Sequence, residues 1–166
     1  MTYAVLKSRP SSEKPETGIE SRRVLADGLC GVLADSVVLM IKAQTYHWNV
    51  VGPLFDAIHR MTEEQYRDLF EAIDDIGERV RALGHVAPCS FVDLLSHAEL
   101  EEETRPRDAS TIVQQLVDDH ETIARRYREL AAQAAGAGDG VTEDLSNSRM
   151  AAHEKFAWML RSTIAA

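Results

Sequence analysis

Cysteine and long apolar runs are both scarce in this chain of 166 residues. Its two cysteines, Cys30 and Cys89, form no Cys-x-x-Cys pair and are most simply free thiols of a reducing, cytoplasmic compartment. No uninterrupted apolar run reaches the roughly 18 residues of a membrane span, so no membrane partner is expected. The first residues, MTYAVLKSRPSSEKPETG, contain no apolar segment of the secretory kind.

Positive charge is also in short supply. Lysine and arginine number 18 against 27 aspartates and glutamates, which gives a net charge of -9. An average surface of this sign does not attract nucleic acid. Residues 1–20 are rich in proline and serine and are predicted to form a mobile tail, in which Lys7, Arg9 and Lys14 are offset by three glutamates. DNA binding through this arm stays open but is not favoured, and it would weaken steeply with added salt.

Helical periodicity fills residues 21–166, where apolar residues recur at steps of three and four without strand-like alternation. Breaks at Gly52-Pro53, at Gly84 and at the sequence GAGDG separate the predicted helices. Four long helices are expected: Ser21 to about Asn49, Pro53 to about Gly84, Ser110 to about Ala135, and Thr142 nearly to the end. The long segment between the second and third helices includes a short helical candidate, SFVDLLSHAEL.

The lengths of these connections predict a topology. Short connections make the first and second helices antiparallel, and likewise the third and fourth, whereas the long connection lets the second and third run parallel. It must cross a helix of about 30 residues, or roughly 45 Å. One long crossover in an all-α four-helix bundle is the ferritin-like arrangement, and here the crossover would carry the short helix.

The second helix carries metal-ligand side chains on one face. His59 and Glu63 are four residues apart, as are Asp74 and Glu78, so each pair shares a face. At about 100° per residue, all four lie within a wedge of roughly 100°, centred about 115° from the predicted apolar stripe. That stripe comprises Phe55, Ile58, Tyr66, Leu69, Ile73, Ile76, Val80 and Leu83.

A solvated charged face is the simplest interpretation of such residues. Two features favour a contact face instead: Phe70 lies within the wedge, and His47, at the end of the first helix, returns beside His59 through a tight turn. His59 and Asp74 are about 22 Å apart along the axis, far beyond metal–ligand bonds of about 2 Å. One ion can contact both pairs only if two copies of this helix pack antiparallel across a two-fold axis, with two sites per dimer.

The ligand types predict the chemistry of such a site. Two imidazoles with carboxylates and open positions suit Fe(II) and its oxidation, and zinc is a competing ion for the same ligands. Trp48, beside His47, is a candidate electron donor that would quench radicals, although packing is the more common role. The remaining histidines show no paired metal spacing and are predicted to be packing or surface residues: His85, His97, His120 and His153.

The stretch AQTYHWNVVGPLFDAIHRMTEEQYRDLFEAIDDIGERVRALG resembles the signature region of the Dps family, the DNA-binding proteins from starved cells, or mini-ferritins. The C-terminal HEKFAWMLRS resembles the last helix of that family. The likeness implies intersubunit ferroxidase ligands at His47, His59, Glu63, Asp74 and Glu78, in agreement with the distance argument. One departure concerns Glu63, since the family more typically has aspartate at that position.

The resemblance further implies a hollow homododecamer that oxidises Fe(II), preferably with hydrogen peroxide rather than dioxygen, stores the ferric mineral and so protects DNA from oxidative damage. The segment GDGVTEDL resembles the family region near acidic three-fold pores, so Asp139 and Asp144 are pore candidates, with capping of the fourth helix as the alternative. No Glu-x-x-His pair occurs, which argues against an iron site inside the bundle. The rival function is a DNA-compacting, nucleoid-associated protein with a weak metal site.

Overall fold

The computed structural model describes residues 8–12, 15–105 and 107–165 of the chain. These ranges contain five helices and two very short strands. In chain order they are β1 (Arg9–Pro10), α1 (Arg22–Asn49), α2 (Phe55–Ala82), β2 (His85–Val86), α3 (Phe91–Leu95), α4 (Ala109–Gly136) and α5 (Gly140–Ile164). The four long helices agree closely with the predicted boundaries, and α3 lies inside the short helical candidate of the crossover.

Side-chain contacts establish the directions of the helices. α1 and α4 are antiparallel, because Asp35 contacts Arg126 whereas Lys42, further along α1, contacts Asp119, earlier in α4. α1 and α2 are antiparallel across a tight turn at Gly52, whose φ of +97° suits glycine. α2 and α4 therefore run parallel, which confirms the topology predicted from the single long crossover.

The hydrophobic core lies between the long helices. Burial of a large apolar side chain contributes roughly 1.5–3 kcal/mol to stability, so this set holds the bundle together. The large and fully buried side chains are Leu25, Leu29, Leu39, Tyr46, Ile58, Leu69, Ile76, Leu83, Ile112, Leu116, Ile123 and Tyr127. In α4, the residues at helical spacing that are predicted to face inward are all buried: Ile112, Leu116, Ile123, Tyr127 and Leu130.

The predicted stripe of α2 is wrong at its start. Phe55 is 45% exposed rather than part of the core, because it is the first residue of α2 and lies at the open end of the bundle. Two polar side chains, Thr62 and Gln65, are fully buried on the interior face of the helix. The apolar pattern alone did not mark either of them as interior.

α1 is the most apolar of the helices. Among the described residues it is the one helix that is long and apolar enough to cross a membrane by length and composition. Of its most apolar window, 67% is buried inside the bundle, as in the core helix of a globular protein. Its burial against the other helices accounts for this composition.

The crossover is attached to α1 through Asp35. One carboxylate oxygen accepts hydrogen bonds from the backbone N–H groups of Glu99 (2.7 Å) and Leu100 (2.9 Å), and the other accepts from Arg126. Burial raises the pKa of Asp35, and the Arg126 guanidinium opposes this effect. Gly31 makes room for that guanidinium, because a Cβ there would lie 2.0 Å from Nη2.

The described part of the N-terminal segment lies against the bundle. β1 pairs antiparallel with β2, and Ser8 donates both its N–H and its O–H to Asp27, at 2.7 and 2.6 Å. Strands of two residues are too short to show alternation, so the sequence pattern did not indicate them. Residues 1–7 and 13–14, which include Lys7 and Lys14, lie outside the described residues, and the mobile tail stays a prediction.

Candidate metal centre

The α1–α2 turn brings His47 and His59 together. Their rings stack with centroids 3.7 Å apart and planes inclined by 16°. Each Nδ1 lies 2.8 Å from the backbone carbonyl oxygen of the other histidine. Since a carbonyl oxygen only accepts, each Nδ1 carries a proton and donates it. In the neutral rings both Nε2 atoms therefore carry a lone pair, which is the form that binds metal ions.

Two aromatic rings flank this histidine pair. Phe55 stacks on His59 with centroids 5.0 Å apart, and Tyr66 packs edge-on against His47 at 5.5 Å. These rings restrict the orientation of both imidazoles. Both aromatics were predicted to belong to the core, and this role was not predicted. The spacing of four between Phe55 and His59 was the available signal, because such residues are neighbours on a helix.

Glu63 lies one turn along α2 from His59. Its carboxylate forms an ion pair with Arg67 at 2.5 Å, and the two side chains are 37% and 70% exposed. This candidate metal ligand is thus paired with the positively charged side chain of Arg67. Glu64, the neighbouring glutamate, is exposed.

Asp74 and Glu78 lie near the other end of α2, and both are exposed. They line a groove of about 860 Å³ between α1, α2 and the crossover. Its apolar lining includes Phe70, Ile73, Leu33, Val37, Pro88 and Leu94. Phe70 is 70% exposed, so the groove combines acidic ligands with an apolar surface that faces outward.

One chain does not assemble the five predicted ligands around a single ion. The histidine pair with Glu63 lies at one end of α2, and Asp74 with Glu78 lies about 22 Å further along it. Within the described ranges, no group of three or more His, Cys, Asp or Glu side chains is placed to hold one metal ion. The structure of the chain therefore keeps the two ligand groups apart.

The pore candidates differ in their surroundings. Asp139 is buried, caps α5 through the Thr142 N–H and pairs with Arg79 at 2.6 Å. Although burial acts in the opposite direction, the hydrogen bonds from Arg79 and Thr142 hold the pKa of Asp139 below its usual range. This matches the capping alternative, because the carboxylate is already engaged. Asp144 is exposed, and so is Trp48, at 66%.

The other histidines and the cysteines lie where the sequence analysis expected. His85, His97, His120 and His153 are all buried. Cys30 is buried, Cys89 is exposed and both are free thiols, as predicted.

Comparison with known proteins identifies the family. The family model of the ferritin-like domain matches residues 27–166. A low temperature-induced protein of Nostoc sp. (strain PCC 7120) is 40% identical over 147 residues, covering 87% of this chain and 82% of the relative. The DNA protection during starvation protein of Helicobacter pylori (strain J99) is 31% identical over 133 residues, covering 80% of this chain and 92% of the relative.

A solved structure extends this result to three dimensions. The crystal structure of a Dps protein from Vibrio cholerae O1, described as a member of a broad superfamily of ferritin-like diiron-carboxylate proteins, has a TM-score of 0.83. It is 28% identical, and the match covers 92% of this chain and 100% of that one. The predicted ferritin-like bundle is confirmed, and the chain belongs to the Dps family of ferritin-like proteins.

Proposed function

We propose that this protein oxidises Fe(II) at ferroxidase centres shared between two subunits and stores the ferric product, thereby protecting DNA from oxidative damage. One observation carries the proposal: His47 and His59 engage Nδ1 with backbone carbonyls, which leaves their Nε2 atoms for a metal ion one turn from Glu63, while Asp74 and Glu78 lie at the far end of α2. The relatives support it, since one is named for DNA protection during starvation and another is described as a diiron-carboxylate protein.

The subunit contact would be made by α2 and its groove. If two α2 helices pack antiparallel across a two-fold axis, the histidine end of each meets Asp74 and Glu78 of the other. Phe70 lies close to the middle of α2 and so close to that axis, where it would be buried. Other contacts, between such dimers, would complete the hollow homododecamer typical of the family.

Iron is the substrate in this mechanism. Neutral imidazoles and carboxylates bind Fe(II), and the anionic oxygens stabilise Fe(III) more than Fe(II), which favours loss of an electron. Two Fe(II) ions lose one electron each, one hydrogen peroxide accepts both as its O–O bond breaks, and hydrolysis of Fe(III) releases protons. Peroxide is the preferred oxidant and dioxygen the slower one. Zinc would compete for the same ligands.

Two accessory roles belong to the same proposal. Trp48, exposed beside His47, would donate an electron to radicals formed at the site. Asp144 would attract cations to a pore between subunits, whereas Asp139 serves the start of α5. The site of action is the cytoplasm.

DNA compaction is not favoured by the described residues. Three arginines of the N-terminal region are engaged within the chain: Arg9 with Asp93, Arg22 with the carbonyl of Pro15, and Arg23 with Asp27. These contacts offset the positive charge of the three arginines, and the net charge of the whole chain is -9. We expect no gel shift of duplex DNA at about 0.15 M salt. Binding that persists at that salt concentration would support the nucleoid role instead.

The rate of iron oxidation tests the assigned ligands. Fe(II) and hydrogen peroxide are mixed with the protein, and the ferric absorbance is followed for wild type, His59→Ala and Glu78→Ala. Both variants should lose at least about tenfold in rate, because each removes a donor from every site. Glu64→Ala is the matched control and should keep the wild-type rate. Wild-type rates in both ligand variants would show that the site is wrongly assigned.

Mixed assemblies test the sharing between subunits. When His59→Ala and Glu78→Ala chains are unfolded, mixed and reassembled, each mixed dimer regains one site with a full ligand set. Random mixing should therefore restore about a quarter of the wild-type rate. A mixture that stays as inactive as its components, although subunits have exchanged, would place the site within one chain.

A further inference from the structure

A second set of polar side chains lies inside the bundle. We define the interior polar cluster as Gln65 of α2, His120 and Tyr127 of α4, and Arg149 and His153 of α5. Each of these residues lies near the middle of its helix. Gln65, His120, Tyr127 and His153 are completely or almost completely shielded from solvent.

The two histidines of the cluster share one hydrogen bond. The Nδ1 atoms of His120 and His153 are 2.9 Å apart, so one of them donates a proton and the other accepts it. In neutral rings this arrangement requires opposite tautomers. One Nε2 then carries a hydrogen and the other a lone pair, and neither Nε2 has a hydrogen-bond partner.

The other members of the cluster also hold unpaired atoms. Arg149 donates its Nη1 and Nη2 hydrogens to Asp68, at 3.1 and 2.6 Å, but its Nε is unpaired. The hydroxyl of Tyr127 lies close enough to Ser36 and Arg149 to interact with both, but no hydrogen bond of good geometry joins it to either. Both amide atoms of Gln65, one turn before Asp68, are unpaired as well.

These atoms have donors and acceptors in nearly equal measure. The donors are Arg149 Nε, the Gln65 amide nitrogen and one imidazole Nε2. The acceptors are the Gln65 amide oxygen and the other imidazole Nε2, and the Tyr127 hydroxyl can do both. A cation needs acceptors only and would lie close to the Arg149 guanidinium. An anion needs donors only, and the charge of Arg149 is already balanced by Asp68. Water, which both donates and accepts, matches the whole set.

We propose that the interior polar cluster is a binding site for ordered water, which bridges α2, α4 and α5 at the centre of the bundle. Buried polar groups in folded proteins are almost always paired, either with protein or with ordered water. Helical bundles also build their internal metal sites from side chains of facing helices. Here the Gln65 amide and the Arg149 guanidinium give the cluster the chemistry of a water site rather than that of an iron site.

Histidine tautomers and electron density test the proposal in the assembled wild-type protein. Solid-state nitrogen NMR should show one neutral Nδ1–H ring and one neutral Nε2–H ring for His120 and His153. A crystal structure at high resolution should show oxygen atoms within hydrogen-bond distance of both Nε2 atoms and of Gln65. A well-resolved but dry cluster, or two identical tautomers, would overturn the proposal.

Metal binding supplies the second test. Co(II) is titrated into wild type, His120→Phe and Gln65→Leu, of which the last removes one donor and one acceptor at similar size. The number of Co(II) ions per chain should be the same in all three. Gln65→Leu should lose at least one ordered water from the cluster, which keeps the test valid if His120→Phe does not fold. A lower Co(II) number in either variant, or anomalous density at the cluster, would make it a metal site.

Discussion

Two pairs of histidines in this protein differ in what they can bind, and hydrogen bonds to Nδ1 explain the difference. His47 and His59 each donate Nδ1–H to a backbone carbonyl, so both Nε2 atoms are free for a cation. His120 and His153 bond to each other, so only one of their Nε2 atoms carries a lone pair. The residue type is the same in both pairs, and the partner of Nδ1 decides the chemistry.

The buried histidine pair should make the protein less stable in acid. Burial lowers the pKa of His120 to about 3 and that of His153 well below its ordinary value. In the unfolded chain both rings bind protons below about pH 6.5, whereas in the folded chain they do not, so stability falls as the pH drops. Between pH 7.5 and 5.5 we expect a loss of about 3 kcal/mol from this pair, measured by denaturant unfolding.

His153→Phe provides the comparison for this pH dependence. In this variant, the loss of stability that the pair causes between pH 7.5 and 5.5 should be roughly half as large, because one titrating ring is gone. His85 and His97 also have pKa values lowered by burial, and they contribute in the same direction in both proteins. Equal stability of the wild type at the two pH values would contradict the assignment of neutral buried rings.

The ion pair of Glu63 should weaken metal binding slightly. Fe(II) must replace Arg67 at the Glu63 carboxylate, but both side chains are partly exposed, and such pairs contribute less than about 1 kcal/mol. Arg67→Ala should therefore tighten Co(II) binding by no more than about fivefold, and the gain should shrink at high salt. Arg60→Ala is the matched control, since Arg60 pairs with Asp56, which is not a candidate ligand. Weaker binding in Arg67→Ala would show that Arg67 supports the site.

At the scale of elements, α2 has two separate tasks. Its interior face, with Ile58, Leu69 and Ile76, packs into the bundle. Its other face carries a ligand group near each end, and the length of 28 residues keeps the groups apart. A straight helix cannot bring the two groups together, so one chain cannot place both of them around a single ion.

The crossover depends on Asp35 as an attachment point. Asp35→Ala removes the acceptor for two backbone N–H groups and leaves Arg126, which is 19% exposed, without this partner. We expect a loss of about 3 kcal/mol in the free energy of unfolding, measured with denaturant. Glu154→Ala, which breaks the exposed pair with Arg128, should cost less than about 1 kcal/mol. Similar costs for the two variants would mean that the crossover is held elsewhere.

At the scale of the whole molecule, the exposed apolar surface indicates assembly. Phe70 is 70% exposed and borders the groove that carries Asp74 and Glu78. Contiguous apolar surface of this kind marks contact sites in folded proteins. The net charge of -9 would favour solubility, while the apolar face around Phe70 is buried in the contact between subunits.

Phe70→Glu should separate subunits and abolish iron oxidation while leaving every ligand in place. Near the two-fold axis, the two introduced carboxylates would face and repel each other, and the apolar contact of the Phe70 rings would be lost. Light scattering should show a mass well below the roughly 220 kDa of twelve chains, and the oxidation rate should fall at least tenfold. Phe70→Leu keeps an apolar side chain and should retain both properties. A monomeric Phe70→Glu protein with full activity would disprove the shared site.

Much of the site was predictable because it depends on spacing along one helix. The pairs His59–Glu63 and Asp74–Glu78, the tight turn at Gly52 and the parallel run of α2 and α4 all follow from local periodicity and connection length. Completion of the site by a second chain remains a prediction. The fully buried Gln65 was not predicted, because polar residues carry no periodic signal of burial.

The sequence by itself determined four amphipathic helices, their order, the long crossover and the candidate ligands, because helix formation and facing depend on residues three and four positions apart. Only the tertiary structure decided the contacts between residues distant in sequence. These include the Nδ1 partners of His47 and His59, the Arg79–Asp139 pair and the meeting of His120 with His153. Hydrogen bonds of this kind require an exact approach of separate helices, and no pattern along a single helix specifies it.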